Sequence, residues 1–95
     1  MLTSKQRATL RSMANTLTPI FQIGKGGISE NTIIEIDNAL RTKELIKVSI
    51  LETCEITARQ ASDELCSAVC AEPVQCIGRK FVLYRRNIEN PKIEI

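Results

Sequence analysis

Leu10, Met13, Ala14 and Leu17 are spaced i, i+3, i+4 and i+7, the stripe that turns one face of a helix toward a core. Thr3, with Gln6 three residues on, offers the reciprocal side-chain-to-amide pattern that opens a helix, so the first helix is expected to run to about Asn15. Arg7 and Arg11 make a separate stripe about a quarter turn away and can reach outward while the leucines pack. Pro19 ends this helix and permits an extended run from Ile20 to Ile23. Gly24-Lys25-Gly26-Gly27 then follows, too rich in glycine for a strand interior. Ser29 reads as the N-cap of a second helix. Glu30 complements its dipole, Ile33, Ile36 and Leu40 are spaced for burial, and the end is expected near Arg41.

From Leu45 to Leu51 the pattern changes to period two, with Ile46, Val48 and Ile50 on one side and Leu45, Lys47, Ser49 and Leu51 on the other, as a strand requires. Thr57 with Gln60 repeats the capping pattern, and Ala58, Ala61, Leu65, Ala68 and Val69 line a third helix that Pro73 prevents from continuing. Val74 to Ile77 and Lys80 to Arg85 flank Gly78-Arg79, a two-residue loop with glycine first that suits a hairpin, so the last two strands should be antiparallel neighbours. After Asn90-Pro91 the chain fits either a frayed end or a short edge strand. The order helix, strand, helix, strand, helix, strand, strand predicts one α/β domain over residues 1–95 with a four-stranded mixed sheet. A right-handed crossover is expected through the second helix.

Composition narrows what such a domain can do. Ninety-five residues enclose one core, and 43% hydrophobic with 25% charged residues at a mean hydropathy of −0.06 places the chain with ordinary globular domains. Apolar runs of a few residues are far short of a membrane span, and the amphipathic start does not look like an export signal, so a cytoplasmic protein without a membrane partner is expected. With no histidine, imidazole cannot serve as base, triad partner or metal ligand. With Phe21, Phe81 and Tyr84 as the only aromatics, binding cannot rest on stacking a run of bases on rings. Cys54, Cys66, Cys70 and Cys76 are expected as reduced, small, largely apolar residues. Their spacing does not form two zinc knuckles, and no cofactor is called for. Asp63-Glu64 and Glu52-x-x-Glu55 read as surface carboxylates.

The net charge of +2 conceals blocks of opposite sign. Residues 1–29 carry Lys5, Arg7, Arg11 and Lys25 and no acid, residues 30–72 sum to −5, and residues 73–88 carry Arg79, Lys80, Arg85 and Arg86 and no acid. If folding joins the first and third blocks, a nearly neutral molecule acquires a strongly basic face; otherwise the charges are scattered over a solvated surface.

Between them lies the glycine segment. A strand leading through Gly-Lys-Gly-Gly into a helix start lets an anion approach the backbone, meet unpaired amides and be reached by Lys25. The plain alternative is a tight turn whose glycines supply positive φ. The nucleoside-triphosphate loop does not fit the spacing. The dinucleotide fingerprint is closer, with Gly24 and Gly26 in place and Glu52 as ribose acid, but Ser29 replaces its third glycine, Lys25 is unexplained and the chain holds only half of that fold. The Gly-x-x-Gly loop of KH domains, which clamps a nucleic-acid backbone, matches in length and in the helix that follows.

Several motifs in order then become recognisable: Leu2-Thr3-x-Lys5-Gln6-Arg7-x-x-Leu10-Arg11, Ile23-Gly24-Lys25-Gly26-Gly27-Ile28-Ser29, Ile36-Asp37-x-Ala39-Leu40, Glu44-Leu45-Ile46-Lys47-Val48, and Gln75-x-Ile77-Gly78-Arg79 followed by Val82-Leu83-Tyr84-Arg85. Together they resemble the CRM (chloroplast RNA splicing and ribosome maturation) domain, in particular its single-domain bacterial YhbY-like members. The resemblance implies a non-enzymatic RNA-binding module with a fold similar to the C-terminal domain of initiation factor three, acting as a monomer on ribosomal RNA of large-subunit precursors. It implies a glycine loop at Gly24, Lys25, Gly26 and Gly27 and a basic surface from Lys5, Arg7, Arg11, Arg79, Lys80, Arg85 and Arg86. Arg41, Lys43 and Lys47 are secondary positions. Cys66 and Cys70 in the third helix are not part of the family pattern. Two other readings are a small nucleotide-binding protein built on the glycine loop and a ribosome-associated protein-interaction module.

Overall fold

All three helices open on the caps that the sequence offers. The side chains of Thr3, Ser29 and Thr57 accept from the backbone N–H three residues on, and the side chains of Gln6, Thr32 and Gln60 return the bond. The computed structural model describes residues 2–89 and 91–93, and its elements in order are α1 (Ser4–Ala14), β1 (Phe21–Ile23), α2 (Glu30–Lys43), β2 (Leu45–Ile50), α3 (Ala58–Val69), β3 (Glu72–Ile77) and β4 (Lys80–Tyr84). Of the tail considered above, Asn90, Glu94 and Ile95 lie outside the described residues.

The strands form one mixed sheet in the order β1-β2-β4-β3, with β1 parallel to β2 and the other two pairings antiparallel. Alternation along β2 and β4 divides the core in two. Ile46, Val48, Ile50, Phe81 and Leu83 face α2 and α3, against Ile36, Leu40, Ala61 and Leu65. Leu45, Val82 and Tyr84 face the other way, where α1 packs Leu10 and Ala14 on them and on Val74 of β3. One helix cannot cover a side of a four-stranded sheet, so part of the α1 side stays open.

Two element ends differ from expectation. α2 continues past Arg41 to Lys43 and stops because Glu44 adopts φ 64°, its N–H still bonding Leu40 O. α3 ends before Pro73, at Cys70 in the left-handed region, φ 56°, and β3, expected from Val74, begins at Glu72 and so contains Pro73. β3 is an edge strand with a register shift between Pro73 and Gln75, so the N–H that proline lacks is not missed. Within the stripes, Met13 sits at the rim and is 39% exposed, and Ala68 is exposed while Ser62 is buried. The four cysteines are free thiols. Burial in α3 pushes the Cys66 thiol up to about 11, which makes it a poor nucleophile.

Candidate nucleic-acid interface

The glycine segment leaves the C-terminal end of β1 as a tight turn closed by Gly27 N donating to Gly24 O at 2.9 Å. Of its three glycines, only Gly27 has a positive φ, at 67°. Gly24 is backed by Leu51, whose Cδ1 would lie 3.5 Å from an added Cβ, an ordinary contact. At Gly26 an added Cβ would meet nothing within 4 Å. The fold therefore explains Gly27 and does not call for glycine at 26. The start of α2 is less open to an anion than the sequence suggests, because Ser29 Oγ already accepts from Thr32 N and Glu30 stands in the first turn.

Sheet register decides which cations accompany this loop. Ile23 O accepts from Leu51 N, and Ile50 N donates to Arg79 O at 2.8 Å, so the glycine loop, the end of β2 and the β3–β4 hairpin tip lie side by side at one end of the sheet. Lys80 pairs with Ser49 and Ser49 with Gln22, so Lys80 and the residue two before Gly24 are two strand spacings apart, about 10 Å. Lys25, Arg79 and Lys80 are all exposed there. Arg79 also pairs with Glu52 at 3.2 Å, both side chains well exposed; Glu52 is the acid that a ribose reading would have reserved for the sugar.

Arg7 and Arg11 occupy a second place. They line an open groove of about 540 Å³ along the free edge of β3, with Arg59, Ser62 and Asp63 of α3 on its other side. Arg7 Nε donates to Pro73 O at 3.3 Å, tying α1 to the edge strand. Sequence reasoning passed over Arg59 because it lies within the acidic block. Only its position four residues before Asp63 at a helix start hinted at an outward-facing side chain.

Arg85 and Arg86 lie elsewhere. Arg85 lies five residue steps beyond Lys80, about 17 Å along the strand direction, and Tyr84 pairs with Leu45 at the start of β2. Arg85 is turned inward: its Nη1 donates to Asp37 Oδ1 at 2.6 Å and to Val69 O, and its Nη2 donates to Asp37 O. The donated bond from Arg85 holds the Asp37 carboxyl below its ordinary range, outweighing the opposing effect of burial, with the charges of Arg85 and Arg41 adding to it. Beside it, Glu44 is wholly buried and its carboxylate accepts from the backbone N–H of Asn87, Lys92 and Ile93. Burial would raise Glu44; those three bonds and the Arg86 charge prevail and leave it below its ordinary value. Lys5, exposed in the first turn of α1, is close in sequence to Leu2 and Gln6, which border the same far end with Glu72, Arg85 and Arg86. The expected basic surface is thus brought together in part, with Arg85 and Arg86 at the opposite end from the loop.

Comparison with known proteins agrees with this architecture. Residues 2–85 match the family model described as the CRS1 / YhbY (CRM) domain. YqeI of Bacillus subtilis, which carries the name probable RNA-binding protein, is 47% identical over 95 residues, covering 100% of this chain and 99% of its own. A Haemophilus influenzae protein named RNA-binding protein is 35% identical over 94 residues, 99% of this chain and 94% of that one. The solution structure of SAV1595 from Staphylococcus aureus, a candidate RNA-binding protein, superposes with a TM-score of 0.83 at 47% identity, covering 100% of this chain and 99% of that one. The chain belongs to the CRS1/YhbY (CRM) domain family.

Proposed function

We propose that this protein binds RNA through the end of the sheet that carries Gly24, Lys25, Gly26 and Gly27, with Arg79 and Lys80 beside the loop and Arg7, Arg11 and Arg59 along the β3 edge. The observation that carries the reading is Gly26. Its backbone needs no glycine and its surroundings are empty, so the missing side chain serves something outside the fold, as close approach by a phosphate backbone would. Relatives named for RNA binding that match along nearly the whole chain support the choice of RNA as that partner. The family resemblance points to ribosomal RNA of the large-subunit precursor and to a cytoplasmic, monomeric, non-catalytic role in ribosome assembly. Phosphate contacts dominate affinity, so binding falls steeply with salt.

Transcribed large-subunit precursor RNA, titrated at several salt concentrations, tests this. Gly26→Asp is expected to weaken binding at least about tenfold at an unchanged melting temperature, since the side chain has room in the free protein. Lys25→Ala weakens it less and lowers the salt slope by about one. Normal binding by the Gly26→Asp protein would make the loop a structural turn and end the reading. Crosslinking in cells with sequencing of the attached RNA tests the ribosomal part, which fails if large-subunit precursor sequence is not enriched.

A further inference from the structure

The uncovered part of the sheet on the α1 side contains a small cleft, separate from the glycine loop and adjoining the arginine groove. It measures about 160 Å³ and is lined by Asn15, Lys47, Gln75, Ile77, Lys80 and Val82. Register explains the grouping: Gln75 pairs with Val82 and Ile77 with Lys80, so four neighbouring side chains of β3 and β4 share one face, Lys47 pairs with Val82 from β2, and Asn15 caps α1 above them.

The chemistry of the lining is mixed in a particular way. Val82 is buried and forms an apolar floor, and Ile77 is a large apolar side chain left 65% exposed between polar neighbours. Asn15 and Gln75 each present a planar amide with donors and an acceptor, and neither side chain makes a hydrogen bond among the described residues. Lys80 is exposed at the mouth, while Lys47 is half-buried and donates from Nζ to Leu17 O at 3.3 Å. A flat apolar floor, two free amides and a cation suit a heteroaromatic ring that hydrogen-bonds along its edge and is joined to phosphate. The volume is below the roughly 300–1,000 Å³ of sites for drug-sized ligands and limits the occupant to a single ring system. Gln75 and Ile77 also line the arginine groove, so a strand whose phosphates follow Arg7 and Arg11 has a base within reach of the cleft.

Resting on the RNA-binding reading above, we infer that this cleft takes one unpaired nucleobase and gives the protein a base preference at that position. Phe81 and Tyr84 are buried and Phe21 is packed against the core, so the aliphatic floor replaces aromatic stacking here.

The test uses the full chain and ten-nucleotide single strands of A, C or U, with the precursor RNA as a reference. Wild type is expected to show a spread of about fivefold or more between the best and worst strand, the discrimination of one good base-edge contact. Asn15→Ala/Gln75→Ala is expected to bring the three strands within about twofold of one another, with an unchanged salt slope, because no phosphate contact is lost. In nitrogen-15 spectra the side-chain amide signals of Asn15 and Gln75 should shift with the preferred strand. Equal binding of the three strands by wild type, a spread that survives the double substitution, or unmoved amide signals would each overturn the cleft while leaving RNA binding intact. Loss of binding to every RNA, the precursor included, would instead overturn the functional reading on which it rests.

Discussion

The two ends of the sheet carry the same kinds of residue and use them in opposite ways. At the loop end, Lys25 and Lys80 point into solvent, Arg79 shares one exposed pair with Glu52, and a glycine stands where the fold does not need one. At the far end, Arg85 is bound to Asp37 and to two carbonyls, and Glu44 is buried under three backbone amides from the chain that follows β4. A cation that satisfies an internal acid has its donors committed and little field left for a polyanion, whereas an exposed one keeps both. The comparison therefore separates fold from function: changes at the far end should alter stability, and changes at the loop end should alter binding.

The largest effect is expected from Glu44→Ala. It removes the acceptor for three N–H groups from a wholly buried site and should cost roughly 2–4 kcal/mol, read from urea unfolding. Arg85→Ala should cost somewhat less, since its side chain is 22% exposed and solvent can partly compensate Asp37. Both proteins, where folded, should retain the salt slope of RNA binding. A drop in that slope for Arg85→Ala at unchanged stability would erase the distinction between the ends.

Next in size is the reciprocal change at the loop end. Arg79→Ala/Lys80→Ala is expected to weaken binding to precursor RNA about tenfold, or ~1.4 kcal/mol, and to reduce the salt slope by about two. Stability should move by no more than about 0.5 kcal/mol, because the Arg79–Glu52 pair is exposed on both sides. Unfolding curves and salt-dependent titrations on the same preparation separate the two effects.

Much of this division was legible in the sequence, and the parts that were not share a cause. Capping pairs at Thr3, Ser29 and Thr57, the period-two run from Leu45 and the glycine before Arg79 are local signals, and their elements lie within a few residues of expectation. The block sums of charge left open whether the two basic blocks meet, and in the fold Lys25, Arg79 and Lys80 lie at one end of the sheet. They could not place Arg85, because its partner, Asp37, is 48 residues away in α2 and a sum over neighbours does not see an ion pair so distant in sequence. Nothing local marked Glu44 for burial, since its burial depends on the amides of Asn87, Lys92 and Ile93, which come late in the chain. Pro73 reads as the stop of the third helix, which does end before it; that β3 starts at Glu72 and takes the proline in depends on β3 being the sheet's edge.

A smaller effect distinguishes the ends by pH. Asp37 and Glu44 are held below their ordinary values of 3.8 and 4.5 in the folded protein, so the unfolded chain takes up protons first as pH falls. Their stabilisation is fully present above those ordinary values and is lost as pH drops through the depressed folded values. Unfolding free energy should therefore decline as pH falls from 5 toward 3. Glu44→Gln should start lower and decline less over the same window, and an equal decline would remove Glu44 from the acid response. Substitutions at Lys25 or Lys80 should leave the window unchanged.

The smallest expected effect tests where the loop-end surface stops. Arg59 faces Arg7 and Arg11 across the groove along β3, yet it begins the helix that also carries Asp63, and the two approach to 3.9 Å. At that separation, with side chains 78% and 68% exposed, the pair is worth about 0.3–0.5 kcal/mol at most, so Asp63 does not commit Arg59 as Asp37 commits Arg85. If the groove carries RNA, Arg59→Ala should weaken binding about two- to threefold and lower the salt slope by about one, while the melting temperature stays within about 2 °C. Asp63→Ala should act in the opposite direction, strengthening binding slightly by removing an anion from the groove wall. An Arg59→Ala protein with unchanged affinity and slope would confine the surface to the loop, the hairpin tip and α1. Arg59 would then be an ordinary solvated helix charge despite its position.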